Sequence, residues 1–357
     1  MELYVKALIR EMELQCKQTE KHPIETIFLG GGTPTTLPVK FLKSILENAT
    51  KFFKVESKAE ITLEANPTTI KENYLKDLRS AGYNRISVGA QSFLTPELAL
   101  LERIHGVSEI ALTIQNAREA GFENLSIDLM FALPGQSSKH WAFSLEQALA
   151  LKPDHISAYN LTIEPETRFF RYRETGRLNL PDEEQQLDLI KQTIKTFTEA
   201  GYEHYEISNF AKSGKRCRHN LNYWKNGEYF GFGAGASSFL DGSRFKNENK
   251  PDKYIQSILN DGSAVAFSER PDIATAMGET LMLGLRLREG LSIDTFEQRF
   301  GVVFEQIYSS VVPSLLMQKL VDLKSGRLAL TEKGFHLADS VILEFFPQSP
   351  AHSNSIK

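Results

Sequence analysis

From Glu25 to about Gly201, short apolar runs alternate with longer amphipathic stretches, and this rhythm restricts the fold more than any other feature of the chain. An apolar run of about five residues is too short for a helix but suits a strand buried on both faces. The amphipathic stretch after it supplies the crossover that a parallel strand pair needs. The pattern therefore predicts βα units around a parallel sheet, an α/β fold. Strands are expected at Thr26 to Leu29, Ala59 to Leu63, Arg85 to Val88, Ser126 to Phe131 and His155 to Tyr159, each followed by a helical pattern. A helix from Leu3 to about Gln18 stands before the first strand, so the repeat begins in the middle of a βα unit. In folds of this kind ligands gather at the carboxyl edge of the sheet, where loops project side chains.

At 357 residues the chain is long enough for one large domain and a smaller one. The boundaries read as a core over 1–240, a connection over 241–270 and a carboxyl-terminal domain over 271–357. Within the core, 202–239 is rich in Gly, Asn and aromatic residues, a composition suited to turns and a ligand-lining surface. From Pro271 helices are expected at Ile273 to Arg288 and Phe304 to Lys319. A hairpin follows over Leu320 to Leu330, turning at Asp322 to Arg327, and a tail helix over Glu332 to Phe345. Helices followed by a small hairpin imply an α+β, winged-helix-like module. Its near-neutral charge favours packing over nucleic acid.

A formal net charge of -4 gives no general attraction to nucleic acid or to an anionic membrane. Met1 to Cys16 lacks the apolar core of a signal peptide, and no stretch approaches the ~18 apolar residues of a membrane span, so a cytoplasmic location is expected. Cys16 and Cys217 stand far apart with no second cysteine near either, which argues against a disulfide framework and a thiolate zinc site.

Several candidate residues fall at expected strand ends. Gly30-Gly31-Gly32-Thr33-Pro34-Thr35 follows the first strand, and its glycines either let the backbone approach a ligand or simply make a tight βα turn. It is neither a Walker loop nor a dinucleotide fingerprint. Glu64 and Gln91 lie just past strand ends, and Asp128 is a charge inside an apolar strand. A carboxylate there is either paired or ligand-bound, since an unpaired buried charge is costly. Arg103 offers a guanidinium fork to a carboxylate ligand or to a surface salt bridge.

These boxes, in this order and spacing, together with Leu133-Pro134-Gly135-Gln136, resemble the oxygen-independent coproporphyrinogen oxidase-like members of the radical S-adenosylmethionine family over most of the chain. The resemblance implies a partial (β/α)6 barrel in which Gly31, Gly32 and Thr33 line the methionine end of S-adenosylmethionine. It further implies that Glu64, Gln91, Arg103 and Asp128 touch the ligand's polar groups. That ligand carries an ammonium, a carboxylate, ribose hydroxyls and a sulfonium, which acids, an amide and an arginine suit. Tyr205 to Ala211, His219-Asn220-Leu221-Asn222-Tyr223-Trp224 and Gly231 to Ala236 look like the heme-chaperone branch of that family. In that branch the motif's histidine, here His219, is the proposed ligand of heme iron. Tyr223 and Trp224 offer flat apolar area, and Arg216 and Arg218 are candidate partners of the propionates.

Two departures stand out. The family's Cys-x-x-x-Cys-x-x-Cys loop, which holds a 4Fe-4S cluster in the full-length form, is absent, and with it the first strand. Since Met1 begins where the next helix is expected, the simplest reading is a missing amino-terminal segment, and a cluster-free descendant is the other. Ser237 stands where relatives commonly carry histidine. The resemblance implies binding of heme and its delivery to acceptor hemoproteins such as those of the respiratory chain, with any peripheral membrane association coming through the acceptor. Nucleic acid is not an expected partner. The alternative is radical oxidative decarboxylation of coproporphyrinogen III, which needs the cluster.

Overall fold

The computed structural model describes residues 1–16, 23–70 and 73–346. Its backbone contacts divide the chain into two compact units, Met1–His204 with Ser208–His219, and Tyr205–Ile207 with the chain from Asn220 onward.

The first unit runs α1 (Glu2–Gln15), β1 (Ile24–Leu29), α2 (Val39–Phe52), β2 (Val55–Ala65), α3 (Tyr74–Ala81), β3 (Arg85–Gln91), α4 (Thr95–Leu100) and α5 (Val107–Glu119). It continues through β4 (Leu125–Phe131), α6 (Ser138–Ala150), β5 (His155–Asn160), α7 (Arg168–Glu174), α8 (Glu183–Glu199), β6 (Glu203–His204) and β7 (Asn209–Ala211). The strands form one sheet in the order β1-β2-β3-β4-β5-β7-β6. β1 to β5 pair in parallel, and β7 runs antiparallel to both β5 and β6. All five expected strands are present, each extended by one to several residues, in an open, partial barrel. The expected first helix covers Glu2–Gln15, and Lys17 and Gln18 lie outside the described residues.

One face of this sheet makes the core. Ile61 and Leu63 of β2, Ile86 and Val88 of β3, Ile127 and Leu129 of β4 and Ile156 of β5 are all buried. They pack with Leu42 of α2, Leu78 of α3, Ile110 of α5 and Trp141 of α6. Each such side chain contributes roughly 1.5–3 kcal/mol on burial. Helix periodicity explains the partners: Leu42, Ile45, Leu46 and Ala49 recur at the spacing that keeps one side of α2 on the sheet.

The helix α9 (Arg218–Trp224) starts in the first unit and continues into the second. Beyond it come β8 (Ser237–Leu240), β9 (Ser243–Asn247), α10 (Pro251–Gln256) and β10 (Val265–Glu269), whose strands form a three-stranded antiparallel sheet. The rest comprises α11 (Ile273–Gly284), β11 (Leu291–Ser292), α12 (Ile293–Phe300), α13 (Phe304–Ile307), α14 (Val311–Met317), β12 (Val321–Lys324), β13 (Arg327–Leu330), α15 (Glu332–Phe335) and α16 (Ala338–Leu343). Its sheet has the order β11-β13-β12 and its core includes Leu281, Phe296, Leu315, Leu328 and Val341. This is the expected α+β module with a hairpin.

Its helices are shorter than the periodicity predicts. The stretch Phe304 to Lys319 is two helices, because Pro313 has no N–H to donate and is tolerated only in the first turn of a new helix. The tail breaks between Phe335 and Ala338. A Cβ on Gly334 would collide with the Leu320 carbonyl, so this turn is held by close backbone contact rather than by continued helix. Among the described residues no helix is long and apolar enough to cross a membrane.

Candidate functional site

Strand alternation places a second, polar set on the face of the sheet away from the helices. Thr62 and Glu64 of β2 neighbour Arg85 and Ser87 of β3, and Ser126 and Asp128 of β4 neighbour His155 and Ser157 of β5. Arg85 is 2% exposed and His155 fully buried. The Ser126 hydroxyl lies 2.8 Å from the His155 Nδ1, and the Ser87 hydroxyl donates to Asp128 at 2.9 Å. Burial raises the Asp128 pKa against the pull of the Ser87 and Ser157 hydroxyls and the Arg85 charge. Burial also drives His155 well below its ordinary value, with Arg85 adding to the effect.

Glu64 is the titratable group nearest the glycine loop. Its pKa is raised to about 7, first by burial and then by the Asp128 charge, and the Gly31 N–H donates to its Oε2 at 3.2 Å. A Cβ on Gly30 would stand 2.7 Å from the Glu64 carboxyl carbon, so that position admits only glycine while Glu64 stays in place. Gly31 and Gly32 are exposed, with nothing within 4 Å of either Cβ position, which leaves their backbone open to a ligand. The Thr33 carbonyl accepts the Thr36 hydroxyl, and the Thr35 hydroxyl accepts the Asn66 N–H at 3.2 Å. The glycine loop is thereby tied to the box that carries Glu64.

The next two strand ends are strained. Gln91 has φ +68 where the β3–β4 register shifts, Ala132, just past β4, has φ +58, and Glu102, after α4, has φ +54, all unusual for residues with a Cβ. Buried side chains hold these ends. The Glu97 carboxylate, 7% exposed, accepts the Ser92 hydroxyl at 2.6 Å and the Gln136 amide at 3.1 Å. His105 Nε2 lies 3.2 Å from the Ala90 carbonyl. So the boxes around Gln91, Arg103 and Gln136 are bound to one another. Among the described residues the Arg103 guanidinium has no ion pair, which leaves it for an anion.

Gly31, Gly32 and Thr33 thus follow β1, Glu64 and Gln91 stand at the carboxyl ends of β2 and β3, Asp128 lies in the middle of β4 and Arg103 in the loop between α4 and α5. The sequence reading missed Glu60, Arg85, Glu97, His105 and His155. For Glu60, Arg85 and His155 the available signal was the period of two, which sets a polar residue at every second strand position as it does at Asp128.

Comparison with known proteins bears on this arrangement. A family model described as the Radical SAM superfamily matches residues 3–148, and one described as the HemN C-terminal domain matches 274–337. The heme chaperone HemW of Bacillus subtilis is 37% identical, over 96% of this chain and 90% of its own length. The chain belongs to the HemW heme chaperone family. HemW of Lactococcus lactis is 34% identical over 97% of this chain and 89% of its own. The solved structure of Escherichia coli coproporphyrinogen III oxidase, HemN, superposes with a TM-score of 0.83 at 24% identity, covering 96% of this chain and 82% of that one, a likeness of fold.

The motif that looks HemW-like is shared between the units, with His219 in the first and Tyr223 and Trp224 in the second. His219 Nδ1 lies 2.8 Å from the Thr26 hydroxyl of β1, and its ring stacks on Phe28 with centroids 5.1 Å apart. Its backbone N–H, and that of Arg218, donate to the Glu60 carboxylate at 3.2 and 3.1 Å. Burial, more than the Arg85 charge, lowers the imidazole pKa to about 4, so it is neutral at neutral pH, the form that ligates metal. In the second unit Tyr223 meets Tyr229 edge-on at 4.7 Å, and Arg286 covers Trp224 at 4.8 Å.

A 4Fe-4S cluster does not fit the residues given. It needs three thiolates, and the chain has Cys16 at the end of α1 and Cys217, buried against Glu60.

Proposed function

We propose that this protein binds heme and hands it to acceptor hemoproteins, such as those of a respiratory chain, in the cytoplasm. The observation that carries the reading is identity of 34% to 37%, over nearly the whole chain, to proteins named heme chaperones. His219 is the proposed iron ligand. A neutral imidazole kept in place by Thr26, Phe28 and Glu60 supports that role.

The carboxyl edge is proposed to take S-adenosylmethionine. The open backbone at Gly31 and Gly32, the acids Glu64 and Asp128 and the unpaired Arg103 suit its ammonium and carboxylate. When bound, that molecule brings a sulfonium-activated adenosyl group to the sheet edge. Oxidative decarboxylation of a porphyrinogen requires the cluster that these residues do not hold.

The test is a hemin titration followed by absorbance, with a His219→Ala variant alongside. Saturable one-to-one binding, weakened or spectrally shifted in the variant, is the expected result. Equal, non-saturating uptake by both proteins would remove His219 as the ligand.

A further inference from the structure

The two arginines beside His219 are already engaged. Arg216 pairs with Glu203, and Arg218 donates to Glu25 at 2.8 Å and to the Lys58 carbonyl at 2.9 Å. A propionate would have to displace a carboxylate at either one. The carboxyl edge of β5 offers a different pair.

Between β5 and α8 the chain makes an excursion fixed at three points. Leu161 N–H donates to the Phe131 carbonyl at 3.0 Å, Arg168 pairs with Glu102, and the Gly135 N–H donates to the Asn179 carbonyl at 2.9 Å. The excursion is thus held against the loops that follow β3 and β4, which carry Arg103 and Gln136. α7 lies inside it. Its seven residues hold three arginines and three aromatic rings, and none is buried. The rings are half-buried, with Arg168 over Tyr172 and Arg173 over Phe170, each at 5.1 Å. Gly176, at φ +64, ends the helix by donating its N–H to the Arg173 carbonyl at 3.0 Å, and Arg177 then donates to the Tyr172 carbonyl at 2.8 Å. This turn brings the backbone of Arg177 back onto the last turn of α7, beside Tyr172. Among the described residues neither the Arg171 nor the Arg177 side chain has an ion pair, hydrogen bond or ring partner.

We propose that Arg171 and Arg177 form a carboxylate-binding pair for a flat macrocycle that carries two neighbouring propionates, seated against the half-buried rings of α7. This rests on the heme reading and names where the carboxylate edge of the cargo sits. Each guanidinium presents a fork matched to a carboxylate, and the rings match an aromatic plane.

The experiment uses metal-free protoporphyrin IX, which His219 cannot ligate through iron, and its dimethyl ester, each titrated by fluorescence. The proteins are the full chain, a Arg171→Gln/Arg177→Gln double variant, the matching double Lys variant and His219→Ala. The wild type and His219→Ala are expected to bind the diacid about tenfold or more tighter than the ester. The double Gln variant is expected to lose that preference with ester affinity and melting temperature unchanged, and the double Lys variant to keep part of it. Diacid binding that is the same in the double Gln variant as in the wild type overturns the arginine pair and leaves the heme reading standing. Failure of the wild type to bind either porphyrin saturably while it still binds hemin overturns the arginine pair alone, and failure with hemin as well overturns both.

Discussion

The Thr26 hydroxyl of β1 lies 2.8 Å from the Nδ1 of His219, joining residues 193 positions apart. Thr26→Val keeps the shape of the side chain and removes this bond, and it should cost about 1 kcal/mol of stability in urea denaturation, with Thr26→Ser recovering most of it. Equal losses for Val and Ser would show that the methyl group, not the hydroxyl, matters.

Glu64 gives the protein a pH dependence of definite sign. Its folded-state pKa is raised from 4.5 to about 7, so the folded chain holds that proton more tightly than the unfolded chain does. The resulting stability is fully present below about pH 4.5 and is lost as pH rises through 7. Glu64→Gln carries no such charge, and at pH 8 it should be more stable than wild type by about 1 to 2 kcal/mol after allowance for solvent screening. The two proteins should converge towards pH 5. Parallel melting curves across this range would contradict the buried-carboxyl account.

Glu97 holds two loops at once, and its loss should be felt in both. Glu97→Ala leaves the Ser92 hydroxyl and the Gln136 amide without their shared acceptor, and about 2 to 3 kcal/mol should be lost in denaturant titration. Hydrogen exchange at Phe93 and Leu94 should quicken in the same variant. An unchanged midpoint would mean that the clamp is not formed in solution.

Two glycines with almost the same φ should respond differently to alanine. Gly326, at φ +71, has nothing within 4 Å of its Cβ position, so Gly326→Ala should cost about 1 kcal/mol, the strain of the left-handed backbone alone. Gly290, at φ +70, would in addition drive a methyl group into the Leu328 carbonyl and to 2.7 Å from Ala329. Gly290→Ala should cost about 3 kcal/mol or more, read as the difference between the two melting temperatures. Similar costs at both sites would show that the second unit relaxes around the added methyl.

The parallel sheet was legible because each strand carries its own apolar face, as Ile86 and Val88 do, and each crossover its own helical period. The family boxes were legible because Glu64, Gln91, Arg103 and Asp128 each sit in a short local pattern. What holds them was not. The grip of Glu60 on the start of α9 joins residues about 160 positions apart, and the burial of Arg85 beside His155 depends on strand neighbours that no single segment reveals. Local pattern also overestimates helices, as at Phe304 to Lys319, where one proline decides the break. The arginines beside His219 read as propionate partners in sequence, yet their own carboxylates lie on strands that folding brings near.

The order of the sheet also has a temporal side. β1 to β5 lie side by side in the order in which a ribosome makes them, so each strand finds its neighbour already synthesised and no early edge waits long for a distant segment. The exception is β7, which enters beside β5 only after α7, α8 and β6 have emerged. Until then the β5 edge of the nascent chain stays open, and the interval during which a chaperone or a neighbouring chain can engage it is set by about fifty residues of translation.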